Sequence, residues 1–419
     1  MDLKQRINAA NAETLRRIVS ADPVLVDVAP ASQVIPGMRD RLILHSGPPI
    51  EWLRMCGAQR GAAIGMCLFE GWATDAEQAE RMLAAGEIAL EPNHHHSTVG
   101  PMAGTITRNM WVWVVENRAF GNRAFCRQVE SFQQFGDYSK DALDGLVKWR
   151  DVWGPALGAA VRKMGGIPLK QLVARALQMG DEMHNRVVGS SSLFANAVAP
   201  VLVQLGLPME QVIQTLYYTA NHPFLFLGLS MAAAKASLDP ARGVEASSVV
   251  TAMARNGTEF GIQVSGLEGE WFTAPSPRVQ GLLVPGWKDA DAGLDMGDSA
   301  ITETVGWGGF VIGGAPGILS FTGGTAAQAL AFTRDMREIT VGRSPDYLMP
   351  ALDFAGTAVG IDIRKVVQTG IVPVIDTAIA HKDPGHGTLG GGIVRPPIEC
   401  FNRALKRFAE KYTQQPAHP

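Results

Sequence analysis

The sequence predicts a mixed α/β protein with more than one domain: two α/β domains and a helix-rich segment between them. The chain has 419 residues, of which 46% are hydrophobic and 18% are charged, so it can bury large cores and is expected to divide into two or three domains. Short apolar runs bordered by glycine mark its first and last parts, whereas helical spacing marks the middle. We therefore predict an α/β domain over residues 1–140, a helix-rich domain over 141–243, a glycine-rich α/β domain over 244–413 and a disordered tail at 414–419.

Strand and helix signals alternate in the first part of the chain. The apolar run at 61–69 predicts a strand, and residues 74–77 (Thr-Asp-Ala-Glu) supply a capping box for a helix. Further strands are predicted at 88–90 and 111–115. Because the strand at 88–90 leads into the histidines at 94–96, we expect those side chains just beyond its carboxyl end, where open α/β sheets bind ligands.

Helices are predicted from apolar spacing and from residues that begin or end a helix. Apolar residues spaced three and four apart predict a helix over 169–177, and a second helix is expected to begin after Pro208 and to end at His222. Nearer the C-terminus, Asp362 can cap a short helix that Gly370 ends.

A glycine turn is predicted in the last part of the chain. Residues 317–321 predict a strand, Gly323 and Gly324 a tight turn, and Thr325 the capped start of a helix. The start of such a helix favours phosphate or carboxylate, because its backbone N–H groups are unpaired and its dipole end is positive. An ordinary turn of an α/β fold explains the same pattern.

Residues 180–186 (Gly-Asp-Glu-Met-His-Asn-Arg) interrupt an apolar helical stripe with a dense group of polar side chains. If the stripe stays buried, some of those charges are desolvated unless they pair with each other or with a ligand. An exposed helix end capped by Gly180 is the alternative. Four further polar groups of this kind favour a shared site.

The three adjacent histidines raise the question of a metal site. Successive residues of an extended chain point to opposite sides, so only His94 and His96 could share a face, with Asp181 and His184 as ligands from elsewhere. The competing interpretation is that the histidines bond a carbonyl or phosphate of a substrate. Since neither the histidines nor the cysteines have metal-site spacing, we expect no essential metal.

Three more polar groups lie in apolar surroundings, at 255–258, at 298–304 and at 381–382 after the apolar run 371–380. Arg255 offers the planar fork that binds carboxylate or phosphate, and Asp298 and Glu303 could take up a proton or orient a cation. Each group could instead form a helix cap or a turn in which its polar atoms are hydrogen-bonded within the protein. Together they are typical of the lining of a pocket for an anionic substrate.

Composition excludes several classes of function. The net charge of -3 provides no broad positive field, which argues against nucleic acid as a partner. The N-terminus lacks the apolar segment of a signal peptide and no run is long enough to span a membrane, so a cytoplasmic protein is expected. The four cysteines have no paired spacing and are expected to be reduced.

Several long motifs resemble one bacterial family, the YlbE/YahG-like family, whose characterised activity is as a subunit of oxamate carbamoyltransferase in anaerobic allantoin degradation. The resemblance runs from residue 44 to residue 401. It is carried by segments at 91–96 (Glu-Pro-Asn-His-His-His), 99–104, 179–186, 250–258, 297–304 (Gly-Asp-Ser-Ala-Ile-Thr-Glu-Thr), 360–365 and 380–382.

The resemblance implies a cytoplasmic enzyme of purine nitrogen catabolism, in which phosphate cleaves oxalurate reversibly to oxamate and carbamoyl phosphate. It implies companion subunits, one of them similar to acyl-CoA synthetases, and therefore an oligomeric assembly. The chain departs from its relatives at 128–134, where a glycine-rich stretch with basic residues is replaced, and at Val187, where relatives tend to have asparagine. These departures indicate a changed acceptor or a subfamily with another carbamoyl or acyl substrate.

Carbamoyl transfer needs a phosphate clamp, donors at the developing oxyanion and a base for the amide nitrogen. On chemical grounds we assign to catalysis His94, His96, Glu182, His184, Asp298, Glu303 and His381. We assign to substrate binding Asn93, His95, Asn185, Arg186, Arg255, Asn256, Thr258, Thr302, Thr304, Gly323, Gly324, Thr325, Arg364 and Lys382. No metal or other cofactor is assigned. The alternatives are a metal-dependent hydrolase of small amides and a non-catalytic scaffold subunit.

Overall fold

The computed structural model of the chain describes residues 2–128, 136–384 and 386–413. The predicted tail at 414–419 and nearly all of the divergent segment at 128–134 lie outside the described residues. The longer α-helices of the described part are Leu3–Val19, Gly57–Phe69, Ala76–Ala84, Lys140–Lys148, Gly154–Met164, Leu169–Gln178, Val188–Val203, Met209–Asn221, Leu227–Leu238, Ala326–Glu338, Ile363–Thr369 and Ile398–Thr413.

The strands form several small sheets, so the fold is mixed α/β as predicted. A five-stranded sheet has the order Thr98–Val99, Asn122–Arg127, Trp111–Asn117, Pro23–Pro30, Ile167–Pro168. A four-stranded antiparallel sheet has the order Phe272–Pro275, Glu259–Val264, Val250–Asn256, Met296–Gly297. A three-stranded antiparallel sheet has the order Gln280–Leu283, Thr388–Val394, Ile375–Ala380. The two remaining pairs are Thr340–Met349 with Ala355–Ile361, antiparallel, and Leu42–His45 with Ala89–Pro92, parallel.

The helix Leu227–Leu238 lies at the centre of the protein. All of its residues are buried, and it packs against Trp111–Asn117 and Asn122–Arg127 on one side and against the short helix Ile301–Thr304 on another. Since the helix contacts protein on every side, its sequence is apolar all round rather than along one stripe. Lys235 is the charged residue within it and is only 1% exposed.

Elements far apart in sequence pack together across the predicted domain limits. The N-terminal helix Leu3–Val19 contacts the strand Thr340–Met349. The short strand Ile167–Pro168 extends the sheet of Pro23–Pro30. The limits at 140 and 243 remain predictions.

Most of the predicted elements that depend on caps are confirmed. Thr325 and Asp362 each accept a backbone hydrogen bond at the start of a helix, and Gly370 ends the second of these helices with positive φ. The helix predicted from the capping box at 74–77 also forms, but its cap is Asp75, which accepts from Gln78 N–H, one residue later than predicted. The structure also confirms the strand at 111–115 and the helices at 169–177 and after Pro208. It confirms as well that a strand ends just before His381.

Two predicted strands are wrong. Residues 61–69 belong to the helix Gly57–Phe69, which is buried over most of its circumference; a continuous apolar run of that length fits a buried helix as well as a strand. Residues 317–321 form parts of the 3₁₀ turn Pro316–Ile318 and the single helical turn Leu319–Thr322. That turn packs against the strand Thr388–Val394 and does not pair with it.

Within the described part of the chain, no helix is both long enough and apolar enough to cross a lipid bilayer.

Candidate active site

A buried ion pair stands at the centre of the polar groups. Arg255, near the end of the strand Val250–Asn256, donates from Nε and Nη2 to the two carboxylate oxygens of Asp295 over 2.8 and 3.0 Å. Its other hydrogen bonds go to the carbonyl of Gly297, to Ser299 Oγ and to Thr377 Oγ1. Neither side chain of the ion pair is exposed. Because protein groups occupy every side of the guanidinium, Arg255 positions the strands around it.

A histidine and two carboxyl groups meet on one side of this pair. His184 Nδ1 lies 2.9 Å from Glu303 Oε1 and 4.0 Å from Asp376 Oδ1. Asp376 comes from the strand Ile375–Ala380, one residue before the Thr377 that Arg255 contacts. The exposed fraction is 2% for the His184 side chain and zero for Glu303 and Asp376. The cluster of His184, Glu303 and Asp376 is called the acid–histidine cluster below.

Backbone and side-chain donors fix the acid–histidine cluster. Glu303 accepts hydrogen bonds from Gly309 N–H over 3.0 Å and from Thr302 Oγ1 over 3.0 Å. Asp376 Oδ2 accepts from Asn185 Nδ2 over 3.0 Å, whereas Asp376 Oδ1 is buried and receives no hydrogen bond from the described residues. Each carboxyl group is therefore held in one orientation.

Glycine is required where the chain passes Glu303. Gly308 has φ +56°, and a Cβ atom at this position would lie 2.1 Å from Glu303 Oε1. A side chain would displace the carboxyl group, so the glycine at 308 is part of the construction of the site.

Glu182 organises the backbone that carries His184. Its side chain accepts hydrogen bonds from His184 N–H over 2.8 Å and from Arg186 N–H, and its carbonyl accepts from Gly308 N–H over 2.7 Å. Met183, between them, adopts φ +76°. The polar run after the helix Leu169–Gln178 thus forms a tight turn around a buried carboxyl group.

Asp298 and the residues that bond it form a second polar group. This group and the acid–histidine cluster are called the two polar hubs below. The Asp298 carboxyl group accepts hydrogen bonds from Gly47 N–H, Gly100 N–H and Asn93 Nδ2 over 2.7 to 2.9 Å. His94 Nε2 lies 3.6 Å from Asp298 Oδ1.

A buried lysine reaches the same hub. Lys235 Nζ, from the central helix, lies 3.3 Å from His94 Nδ1 and 2.7 Å from Asp239 Oδ1. The loops at 47, 93–94 and 100 are thereby tied both to the central helix and to the segment that carries Glu303.

Burial changes the protonation of these groups. It raises the pKa of Glu303 and of Asp376 to about 7 and that of Asp298 to about 6, and it lowers the pKa of His184 to about 4. The pKa of Glu182 is raised well above its ordinary value by burial and then by the charge of Asp376. Near neutral pH, the carboxyl groups of the acid–histidine cluster can therefore share protons, or they can bind a cation instead of protons.

A cavity of about 390 Å³ opens at the strand Thr388–Val394, which pairs with the strand that carries Asp376. Arg278, Arg395, Gly323 and Gly324 line it. Both arginines are exposed, and neither forms an ion pair with a carboxylate of the described residues. A further lining residue, Ile393, is paired across the antiparallel strands with Asp376, which places their Cβ atoms about 5 Å apart on one face of the sheet.

Comparison with known proteins places the chain in a family. The model of the family described as oxamate carbamoyltransferase subunit AllG matches residues 88–299. The oxamate carbamoyltransferase subunit AllG of Escherichia coli (strain K12) is 44% identical over 407 residues, which cover 96% of this chain and 97% of that protein. The chain belongs to the AllG family.

Two further relatives extend the similarity. The protein YahG of Escherichia coli (strain K12) is 45% identical over 413 residues, which cover 98% of this chain and 88% of that protein. A crystal structure of a conserved protein of unknown function from Enterococcus faecalis V583 matches with a TM-score of 0.96 and 43% identity, and covers 98% of this chain and 99% of that one. The fold described here is therefore shared with that Enterococcus faecalis protein.

The structure brings together nine of the residues predicted from sequence. The predicted residues that lie at the two hubs or beside Arg255 are Asn93, His94, Glu182, His184, Asn185, Arg255, Asp298, Thr302 and Glu303. Arg186 is bonded to Gly180 O and lies against Gly317, close to the acid–histidine cluster. Thr304 bonds back to Ala300 O within its own helical turn.

Several predicted residues lie elsewhere or have structural partners. His96 bonds Glu91 and the Pro36 carbonyl, and His95 accepts from Trp271 Nε1. Asn256 and Thr258 bond carbonyls of the 48–54 loop, and Arg364 pairs with its own helix cap Asp362.

The predicted residues of the last part of the chain also have structural partners. His381 packs against Trp287 and His386, and Lys382 donates to Ala290 O. Gly323 and Gly324 line the cavity, while Thr325 caps the adjoining helix.

Three buried charged residues were missed by the sequence analysis. Asp376 lies within an apolar strand, Asp295 within a loop and Lys235 within an apolar helix. A single charge inside a long apolar run was the available signal for Asp376 and Lys235. Asp295 had no such signal.

Proposed function

We propose that this chain is the AllG-type subunit of a carbamoyltransferase that cleaves oxalurate with phosphate to give oxamate and carbamoyl phosphate, or that uses a closely related carbamoyl acceptor. The observation that carries the proposal is the cavity near the buried acid–histidine cluster, lined by a glycine turn and by two arginines that pair with no carboxylate of the described residues. One Nη1 of each arginine bonds backbone carbonyls, those of Asp289 and Ala292 for Arg278 and that of Val372 for Arg395. The family supports the same reaction, because AllG of Escherichia coli is described as a subunit of oxamate carbamoyltransferase.

The reaction places clear demands on such a cavity. An oxygen of phosphate attacks the carbamoyl carbon of oxalurate, the bond from that carbon to the amide nitrogen breaks, and the nitrogen leaves as the amide of oxamate after gaining a proton. Both substrates are anions, so two arginines offer charge-assisted hydrogen bonds to phosphate or carboxylate. The backbone N–H groups at the start of the helix Ala326–Glu338 would add to the attraction for these anions.

The glycine turn allows close approach of a substrate to the backbone. Gly323 and Gly324 have φ of +76° and +93°, a conformation in which residues with side chains are strained. We assign anion binding to Arg278, Arg395 and this turn. Arg255, to which the sequence analysis gave that role, is in our view a positioning residue because its donors are occupied by protein acceptors.

The test is substitution for AllG in its own enzyme. The gene for this chain would be expressed in an Escherichia coli strain lacking AllG, and carbamoyl phosphate would be measured after oxalurate and phosphate are added to extracts. We expect carbamoyl phosphate to form, and to require both substrates. A chain that assembles with the companion subunits, as judged by co-purification, and yields no carbamoyl phosphate would contradict the proposal.

A further inference from the structure

The acid–histidine cluster has the spacing of ligands around one metal ion. The three ligand atoms, one each from His184, Glu303 and Asp376, lie within 4.8 Å of one another. In octahedral coordination, metal–nitrogen and metal–oxygen bonds of about 2.1 Å place neighbouring ligands about 3.0 Å apart and opposite ligands about 4.2 Å apart. The separations of 2.9 Å from His184 to Glu303 and 4.0 Å from His184 to Asp376 agree with these two values.

The carboxyl groups of the acid–histidine cluster and of the neighbouring Glu182 have no lysine or arginine partner among the described residues. Glu182, Glu303 and Asp376 are fully buried, and within the described residues none of them forms an ion pair with lysine or arginine. Arg255 is nearby, but Asp295 already occupies its bidentate face. Buried carboxylates require a cation or protons, because an uncompensated charge is costly to desolvate.

One oxygen has no partner and lies among the other two ligand atoms. Asp376 Oδ1 is buried and accepts no hydrogen bond from the described residues, while Asp376 Oδ2 is held by Asn185. On Glu303, Oε2 accepts from Thr302 Oγ1, while Oε1 accepts from Gly309 N–H over 3.0 Å and lies 2.9 Å from His184 Nδ1. Such outer contacts orient the ligands of metal sites. Asp376 Oδ1 accepts no hydrogen bond from the described residues, and Glu303 Oε1, which accepts one, keeps a second lone pair for an ion.

We propose that His184 Nδ1, Glu303 Oε1 and Asp376 Oδ1 bind one divalent cation of the manganese or zinc type. A nitrogen ligand together with two carboxylates suits those ions better than calcium or magnesium, which take oxygen ligands. This differs from the expectation of no metal that the sequence supported, because Asp376 and Glu303 were not then known to be neighbours of His184. The inference does not depend on the carbamoyltransferase reaction.

The test is direct binding to the full chain. Protein stripped with a chelator would be titrated with Mn²⁺, with free ion followed by electron paramagnetic resonance, and dialysed against Zn²⁺ for elemental analysis. We expect one equivalent to bind, and the apparent affinity to fall at least about tenfold in Asp376→Asn and in Glu303→Gln. Asp181→Asn is the matched control: Asp181 is also a buried carboxylate, but its oxygens accept from Gly189 and Ser190.

Two results would overturn the proposal. One is a stripped, folded chain that binds no more Mn²⁺ or Zn²⁺ than Asp376→Asn, which would mean that the carboxyl groups share protons instead. The other is loss of binding in Asp181→Asn equal to that in Asp376→Asn. If the cluster variants do not fold, anomalous diffraction from crystals of the unaltered chain soaked in Mn²⁺ decides the question. A peak must then lie within bonding distance of His184, Glu303 and Asp376.

Discussion

Arg255 and Asp295 form a bidentate ion pair, over 2.8 and 3.0 Å, that is completely removed from solvent. The same guanidinium contacts Gly297 and Ser299, which flank Asp298, and Thr377, which follows Asp376. One residue thus connects the two polar hubs of this AllG-family protein. Its importance is expected to be structural first and catalytic only through the groups that it positions.

Arg255→Lys is therefore expected to destabilise the fold. A lysine has no planar fork and cannot replace hydrogen bonds to four residues, so Asp295 would remain buried without its bidentate partner. We expect the free energy of unfolding to fall by about 3–5 kcal/mol in urea denaturation. Arg364→Lys is the control, because Arg364 also pairs with an aspartate, Asp362, but is 29% exposed, and the expected loss is below about 1 kcal/mol. Equal losses in the two variants would contradict the prediction.

Arg278 and Arg395 are expected to act on substrate affinity with little effect on stability. Replacing either by glutamine removes a charge-assisted contact to phosphate or carboxylate, which costs roughly 1.5–3 kcal/mol, or on the order of tenfold to a hundredfold in kcat/KM. Phosphate binding to the chain, measured by calorimetry, should weaken in parallel. Arg118→Gln provides the comparison, since Arg118 is exposed and bonds the Gly165 carbonyl away from the cavity. Unchanged phosphate affinity in both cavity variants would place the anion site elsewhere.

Gly308→Ala should disturb the acid–histidine cluster without changing any of its ligands. The added Cβ would lie 2.1 Å from Glu303 Oε1 at a φ of +56°, so the Glu303 carboxyl group must move away from His184. A loss of stability of about 1–3 kcal/mol is expected from the broken hydrogen bonds and the strained backbone. At Gly317, by contrast, a Cβ would meet only the guanidinium of Arg186, at 3.0 Å, which can shift. Gly317→Ala should therefore be nearly neutral in the same denaturation assay.

The pH dependence of stability should carry the signature of Asp298. Burial raises its pKa from 3.8 to about 6, so between those pH values the folded chain holds a proton that the unfolded chain releases. The stabilising contribution is complete below about pH 4 and is lost as the pH rises through about 6. The groups that face this carboxyl group are His94 at 3.6 Å, the donors Asn93, Gly47 and Gly100, and the more distant charges of Arg255 and Lys235.

Asp298→Asn isolates this contribution. The variant should be less stable than the unaltered chain, because only the oxygen of an amide accepts hydrogen bonds, whereas both oxygens of a carboxyl group do so here. The difference in the free energy of unfolding should shrink by roughly 1–3 kcal/mol between pH 4 and pH 7, since only the unaltered chain loses stability from this group. A difference that widens over the same range in urea denaturation would show that the pKa of Asp298 is lowered in the folded state.

The sequence by itself determined the features that act over a few residues. Asp75, Thr325 and Asp362 begin helices because a side-chain oxygen bonds a backbone N–H two or three residues later, and this can be read from neighbouring residues. It also showed that residues 180–186 carry more polar groups than a buried stripe tolerates. The strands predicted at 61–69 and 317–321 failed because an apolar run alone does not distinguish a strand from a buried helix or turn.

Only the tertiary structure decided which polar groups meet. His184 and Glu303 are 119 residues apart, Asn185 and Asp376 are 191 apart, and Arg255 and Asp295 are 40 apart. No local rule relates such partners, because their contact is set by the packing of the central helix and three separate sheets. Burial is likewise a tertiary property: it leaves Asp376 Oδ1 without a hydrogen bond from the described residues, and it leaves Arg255 no free face for a substrate.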